Sequence, residues 1–155
     1  MRRKRLRRAM IRRGINLWPP FFFTGIRVVR ASEDWREVDV ALRLRWFNRN
    51  AVGVHFGGSL FAMTDPFLML MFMDNLGHDY VVWDQAATIE FVAPGRGTVH
   101  ARFRLSQAEI DSVREAASGG APVRPEFTVE VVADDGSVVA RVRKTVYVRK
   151  RRDRA

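Results

Sequence analysis

The sequence predicts an α+β domain in which an antiparallel β-sheet is wrapped around a long central α-helix. Six segments place apolar side chains at every second position, which predicts strands that bury one face only. The segment from Ser59 to Met73 is apolar on nearly all sides, so the helix that it predicts has to be surrounded by the rest of the chain. A sheet that curls around this helix satisfies both patterns.

The length and composition indicate one globular domain. The chain has 155 residues, and 47% of them are hydrophobic, which is enough to form a sizeable core. It has no cysteine, which excludes disulfide bonds, a thiol nucleophile and a Cys-based zinc site. None of the three histidines forms a pair with metal-ligand spacing, and no nucleotide-binding glycine motif is present. We therefore predict no metal and no resident cofactor.

The positive charge of the chain lies at its two ends. The whole chain carries +10, of which residues 1–13 contribute +8 and residues 149–155 contribute +4, so residues 14–148 sum to −2. We therefore divide the chain into a basic N-terminal segment (1–14), a folded domain (15–148) and a basic C-terminal tail (149–155). The two ends could bind nucleic acid or an anionic membrane surface. Alternatively, they could be solvated and only keep the protein soluble.

No segment predicts export or insertion into a membrane. The basic N-terminus is not followed by an apolar stretch with a small-residue cleavage site. Residues 57–73 fall short of the roughly 20 residues that span a bilayer, and Asp65 and Pro66 interrupt them. We therefore expect a cytoplasmic protein.

The pattern of alternation predicts strands at residues 25–30, 38–46, 80–92, 99–105, 127–133 and 138–148. Ser106 and Glu109 form a capping-box pattern, which predicts a short helix between the fourth and fifth strands. Residues 1–13 are predicted as a short basic helix. The Pro19-Pro20 pair predicts that no helix runs through residues 18–23, because proline lacks the backbone N–H that a helix interior uses.

Asp65 is the only ionisable residue in the apolar run, and two interpretations of it remain open. Because Pro66 follows, Asp65 could be the N-cap of a second helix, in which case the long helix is two pieces. Alternatively, neighbouring apolar side chains could keep its carboxyl dry, which would suit a general base or nucleophile. The Gly57-Gly58 pair before the helix could bind an oxyanion through free N–H groups, or it could permit tight packing.

Two stretches resemble the hotdog-fold acyl-CoA thioesterases of the phenylacetate-pathway type. In the first, Asn50 precedes Gly57-Gly58 by a short loop, and Asp65 follows on the central helix. In the second, residues 89–101 resemble the passage between the third and fourth strands of that family. Residues 15–148 as a whole resemble a bacterial hotdog branch, a domain of unknown function that is usually described as a thioesterase.

The resemblance implies hydrolysis of an acyl-CoA or acyl-carrier-protein thioester, at sites shared between the subunits of a homodimer or a dimer of dimers. It implies that Asp65 is the general base or nucleophile, and that the N–H groups of the glycine pair hold the oxyanion. It also implies that Asn50 orients water or substrate across the subunit interface from Asp65. Coenzyme A enters only as part of the substrate. The catalytic assignment that follows is Asp65, Asn50, His55, Gly57 and Gly58, and the substrate-binding assignment is Phe56, Phe61 and Arg96.

One difference from the family keeps a second hypothesis open. The family has a histidine directly before Gly-Gly, whereas Phe56 stands there in this chain and the histidine is one residue earlier, at His55. Adjacent side chains point in different directions, so His55 need not occupy the space of the family's histidine. The alternative is a hotdog protein that binds acyl groups, or serves in assembly, without hydrolysing a thioester.

Overall fold

The structure is a computed structural model that describes residues 14–151. The predicted basic helix in residues 1–13, and residues 152–155 of the predicted C-terminal tail, lie outside the described residues. Within the described part, no helix is both long enough and apolar enough to cross a membrane.

Four α-helices and six β-strands form the described part of the chain. The helices are α1 (Pro19–Thr24), α2 (Gly57–Ala62), α3 (Phe67–Leu76) and α4 (Gln107–Ala116). The strands are β1 (Ile26–Ala31), β2 (Glu37–Arg43), β3 (Tyr80–Phe91), β4 (Thr98–Arg104), β5 (Glu126–Ala133) and β6 (Val138–Lys150). The predicted capping box is confirmed, since Ser106 and Glu109 exchange hydrogen bonds at the start of α4.

The six strands form one antiparallel sheet in the order β1-β2-β4-β5-β6-β3. Strands β1 and β3 are therefore its two edges. The inner face of the sheet shares one hydrophobic core with α2, α3 and the turn between them. Met63, Phe67, Met71 and Phe72 are fully buried there. The predicted arrangement, an antiparallel sheet around a central helical segment, is confirmed.

The central helix is interrupted between α2 and α3. Pro66 has no N–H and cannot donate to the carbonyl of Ala62, while the backbone N–H and hydroxyl of Thr64 both donate to the carbonyl of Phe61. The segment is therefore two helical pieces, which the N-cap interpretation of Asp65 had implied. However, the N-cap residue of α3 is Pro66, and no side chain caps this helix. The interpretation of Asp65 as an N-cap is wrong.

Helix α1 begins at the Pro19-Pro20 pair, so the prediction that no helix runs through residues 18–23 is wrong. Proline is tolerated in the first turn of a helix, because the N–H groups there have no intrahelical partner. The helix buries Phe21 and leaves Phe22 and Phe23 exposed.

Strand β2 ends at Arg43, three residues before its predicted end, because the buried side chain of Asn48 turns the chain away from the sheet. Its Nδ2 group donates to the carbonyls of Thr24, at 3.0 Å, and Arg43, at 2.9 Å. Its Oδ1 atom accepts a hydrogen bond from the N–H of Arg45 at 2.7 Å. The chain then enters the loop that carries the predicted catalytic residues before α2.

Candidate active site

A buried lysine joins the central helical segment to the sheet at Asp65. Lys144 lies on β6 with a fully buried side chain, and its Nζ atom is 2.9 Å from Oδ2 of Asp84 on β3. The same Nζ atom is 3.3 Å from Oδ1 of Asp65 and also donates to the carbonyl oxygen of Asp65. Three positions that are far apart in the sequence therefore meet around one ammonium group, which we call the Lys144 cluster.

Asp84 is the shielded carboxylate of the Lys144 cluster. Its side chain is 18% exposed, and its Oδ1 atom is buried with no hydrogen-bond partner among the described residues. Burial raises the pKa of Asp84 above its usual value of 3.8, while the charge and hydrogen bond of Lys144 oppose this shift. The negative charge of Asp65 adds to the upward shift.

Asp65 is the accessible carboxylate of the cluster. Its side chain is 59% exposed, so the interpretation that apolar neighbours keep the carboxyl dry is wrong for this chain. The Asp65 carboxylate is exposed because the turn between α2 and α3 directs it toward Lys144 and away from the apolar side chains of the core. A carboxylate that is fixed by a cation and open to solvent can contact a substrate.

Two aromatic rings frame the N-terminus of α2. A side chain at Gly57 would come within 2.8 Å of Cζ of Phe91, and a side chain at Gly58 would overlap the ring of Phe56. The glycine pair therefore permits tight packing, as one interpretation of the sequence predicted. Gly57 and Gly58 are the first two residues of α2, where the N–H groups have no intrahelical acceptor. Their role as an oxyanion hole stays a prediction.

His55 is buried against the loop between β3 and β4. Its Nε2 atom lies 3.1 Å from the carbonyl oxygen of Gly97, and its backbone N–H donates to the carbonyl of Gly95 at 3.0 Å. Because a carbonyl oxygen only accepts, Nε2 carries the proton. The Nδ1 atom is buried with no hydrogen-bond partner in the described part of the chain. Burial lowers the pKa of His55 below its usual value of 6.5, and the bond to Gly97 opposes this shift.

Asn50 orders the loop that leads to α2. Its Oδ1 atom accepts hydrogen bonds from the N–H groups of Val52 and Val54, each at 3.1 Å. Its Nδ2 group lies 3.5 Å from the carbonyl oxygen of His55. The side chain thus supports the loop that it belongs to, and its contact with water or substrate stays a prediction.

The three predicted substrate-binding residues lie in different environments. Phe56 is exposed at the start of α2, Phe61 is half-buried within α2, and Arg96 is exposed in the loop between β3 and β4. The carbonyls of the same loop accept the hydrogen bonds of His55. Within the described part of one chain, neither Asn50 nor His55 forms a hydrogen bond to Asp65.

Lys144 and Asp84 were not predicted from the sequence. A signal for Lys144 exists, because Val142, Val146 and Val148 occupy the buried positions of β6 and Lys144 belongs to the same alternating series. Lysine is almost never fully buried unless it is paired. The alternation therefore marks Lys144 as unusual, although it does not show which carboxylates surround it.

The comparison of the sequence with protein-family models gives one match, over residues 7–148, to a domain of unknown function, DUF4442. The chain belongs to the DUF4442 family. The matched range contains all three members of the Lys144 cluster. A search of curated proteins found no match.

Solved structures share the fold of this DUF4442 protein. It is similar to a protein of unknown function from Pseudomonas aeruginosa that is described as a probable thioesterase, with a TM-score of 0.81, 17% identity and coverage of 92% of this chain and 95% of that one. It is also similar to a Chlorobaculum tepidum protein of unknown function (TM-score 0.73, 12% identity, coverage 93% and 94%) and a Haemophilus influenzae thioesterase (TM-score 0.64, 14% identity, coverage 88% and 86%). The predicted hotdog fold is therefore confirmed.

We expect Lys144→Met to destabilise this DUF4442 protein strongly, because two carboxylates then lose their cation. Removing one partner of a fully buried ion pair costs about 3–5 kcal/mol, and this is an upper bound here because the Asp65 carboxylate is open to solvent. Urea unfolding measures this loss, and Lys150→Met, at an exposed lysine on the same strand, is the matched control. Asp84→Asn should lower the free energy of unfolding less in the Lys144→Met background than in the native protein. If the losses of the two substitutions simply add, Lys144 and Asp84 are not paired.

We expect the stability of the protein to fall as the pH drops below His55's usual pKa of 6.5. The unfolded chain takes up a proton near that value, while the folded chain resists it down to a lower pH, so the contribution of His55 is complete above 6.5 and is lost below it. Urea unfolding between about pH 5 and about pH 8 measures the slope. His55→Gln should remove this part of the slope, whereas His78→Gln, at an exposed histidine, should retain it.

Proposed function

We propose that the protein hydrolyses an acyl thioester carried by coenzyme A or an acyl-carrier protein, with Asp65 as the general base or nucleophile. The observation that carries the proposal is the placement of Asp65, which is accessible to solvent and held by the buried Lys144 ammonium. The thioesterase descriptions of structures with the same fold support the reaction class.

In the general-base form of the reaction, Asp65 accepts a proton from the attacking water. The water oxygen bonds to the thioester carbon, and the carbonyl oxygen becomes an oxyanion. When the oxyanion collapses, the carbon–sulfur bond breaks, and the proton passes from Asp65 to the leaving thiolate. Lys144 is a positioning residue in this scheme, because it contacts both the carboxylate and the carbonyl of Asp65.

The oxyanion is held by the N–H groups of Gly57 and Gly58 in this scheme. Gly57 begins the six-residue helix α2, which is about 9 Å long, and Asp65 lies in the turn beyond its C-terminal end. A single thioester carbonyl cannot contact both groups of one subunit over that distance. The proposed site therefore combines Asp65 of one subunit with the glycine pair of a second subunit.

Strand β3 supplies the edge at which two subunits could meet. It is 12 residues long, and its outer side has no neighbouring strand among the described residues. If two β3 strands pair antiparallel around a two-fold axis between Ala87 and Thr88, Asp84 lies opposite Phe91 of the partner subunit. Since Phe91 packs on Gly57 in its own subunit, this register brings one α2 N-terminus toward the other subunit's Lys144 cluster.

The remaining predicted residues surround this shared site. Phe56 and Phe91 provide exposed apolar surface at the start of α2, which suits an acyl chain, and Phe61 lies within the same helix. Arg96 is exposed in the neighbouring loop, where a guanidinium could contact the phosphates of coenzyme A. Asn50 and His55 hold the loops on either side.

One observation favours acyl binding without hydrolysis as a second candidate function. The ammonium of Lys144 lies 3.3 Å from Oδ1 of Asp65, and this contact between the helical segment and the sheet accounts for the placement of Asp65 without a part in catalysis. In this case the shared cleft is kept as a binding site. Retention of an acyl thioester without turnover would distinguish this function from the first.

We expect the native protein to hydrolyse at least one member of a chain-length panel of acyl-CoA thioesters. Asp65→Asn should lower the rate by about 100-fold or more, because it removes the base and keeps the shape of the side chain. Release of free thiol measures the rate, and Asp79→Asn, at another exposed aspartate, is the matched control. Absence of turnover on the whole panel, or full activity of Asp65→Asn, would refute the proposal.

We expect two inactive variants to restore activity when they are expressed together. Asp65→Asn removes the base, and Gly57→Val obstructs the helix N-terminus, where a side chain would meet the ring of Phe91. A mixed dimer contains one site with neither substitution, so random pairing should give about a quarter of the native activity. If the mixture stays inactive although mixed dimers form, the site is not shared between subunits.

A further inference from the structure

The second candidate site lies at the opposite end of the sheet from β3. Exposed aromatic and basic side chains there line a groove of about 750 Å³ on the outer face of β1, β2 and the start of β4. We call it the β1–β2 patch, defined by Phe22, Phe23, Trp46, Phe47, Arg27, Arg43 and Arg45. We propose that the β1–β2 patch docks the protein on the surface of an anionic lipid bilayer.

The aromatic side chains of the patch project into solvent. Trp46 is 81% exposed and Phe23 is 74% exposed, while Phe22 and Phe47 are each about half exposed. They come from two separate segments, α1 and the turn after β2, and both segments meet at Gly25, where an added side chain would lie 3.7 Å from the ring of Phe47. A contiguous exposed apolar surface of this kind marks an interaction site. Tryptophan and phenylalanine are typical of the boundary between lipid and water.

The charged side chains of the patch are all positive. Arg27, Arg43 and Arg45 line the groove, and none of the described residues that line it is acidic. The guanidinium of Arg27 lies over the ring of Phe22, 5.6 Å from its centre. Arginine next to exposed aromatic rings suits a partner that offers negative headgroups above an apolar layer.

A second copy of this chain fits the patch poorly. In a two-fold dimer the same surface meets itself, so six guanidinium groups would face one another without an acidic partner. Single-stranded nucleic acid also fits poorly, since successive bases stack on a series of ring faces. The neighbouring rings of the patch are nearly perpendicular, Phe22 with Phe23 at 87° and Trp46 with Phe47 at 86°, and therefore do not form a continuous stacking platform.

Docking through the patch leaves the Lys144 cluster accessible. The patch lies on β1 and β2, and the cluster lies on β6 and β3 at the other edge of the sheet.

The N-terminal segment that precedes α1 carries eight basic residues and no acidic one. It adds long-range attraction to the same anionic surface, whereas the patch supplies the apolar contact.

Binding of the full chain to vesicles tests the proposal. We expect cosedimentation with vesicles of phosphatidylcholine and phosphatidylglycerol, weaker binding at high salt, and little binding to phosphatidylcholine alone. Arg43→Gln with Arg45→Gln should weaken binding by about 30-fold, which corresponds to roughly 1 kcal/mol for each arginine near the surface. Phe23→Ser with Trp46→Ser should weaken it similarly. Arg102→Gln with Arg143→Gln, which removes two exposed charges outside the patch, should bind almost as the native chain does.

Three outcomes would overturn the proposal. Native-like vesicle binding by both patch variants would assign the binding to the basic ends alone. Equal binding to vesicles with and without phosphatidylglycerol would exclude recognition of anionic headgroups. If binding of a single-stranded oligonucleotide requires the patch and binding of vesicles does not, the patch is a nucleic-acid site. The substituted side chains are exposed, so each variant should fold as the native chain does. Circular dichroism and urea unfolding check this for each variant.

Discussion

The buried ammonium of Lys144 is the interaction on which the candidate site depends. An unpaired ammonium is costly to bury, so the fold has to bring acceptors to it. Here they come from β3 and from the turn between α2 and α3, so one side chain ties the edge of the sheet to the central helical segment. The break between α2 and α3 turns the Asp65 carboxylate toward the ammonium and leaves it open to solvent.

The length of the helical segment sets a second constraint. Its N-terminus, with the close-packed Gly57-Gly58 pair, and its central break, with Asp65, are too far apart to act on one carbonyl group. Strand β3 passes both places, because Asp84 contributes to the Lys144 cluster and Phe91 packs on Gly57. In the proposed dimer, pairing of the two β3 strands brings Asp65 of one subunit toward the Gly57-Gly58 pair of the other. The proposed reaction therefore depends on the free edge of the sheet.

Local patterns were sufficient to predict much of the fold. Alternation predicted all six strands, and Ser106 with Glu109 predicted the start of α4, because both signals lie within a few residues. The Pro19-Pro20 pair was misread, since proline prevents a helix only when it lies beyond the first turn. Asp65 was singled out by its apolar surroundings in the sequence. Its partners Lys144 and Asp84 were not, because their contact depends on the register of β3 and β6 and on the direction of a turn.

His55 and Phe56, which differ from the pattern of the phenylacetate-type thioesterases that the sequence resembles, both have packing roles in this structure. His55 packs against Gly95 and bonds to Gly97, so it fixes a loop, while Phe56 places its ring over Gly58. The catalytic assignment consequently depends on Asp65 and the glycine pair.

A crystal structure with a non-hydrolysable acyl-CoA thioether ketone tests this account most directly. The account predicts that the ketone lies between Asp65 of one subunit and the N–H groups of Gly57 and Gly58 of the other, with Lys144 still bonded to Asp65. A ketone that contacts one subunit only, or that lies away from Asp65, would contradict it.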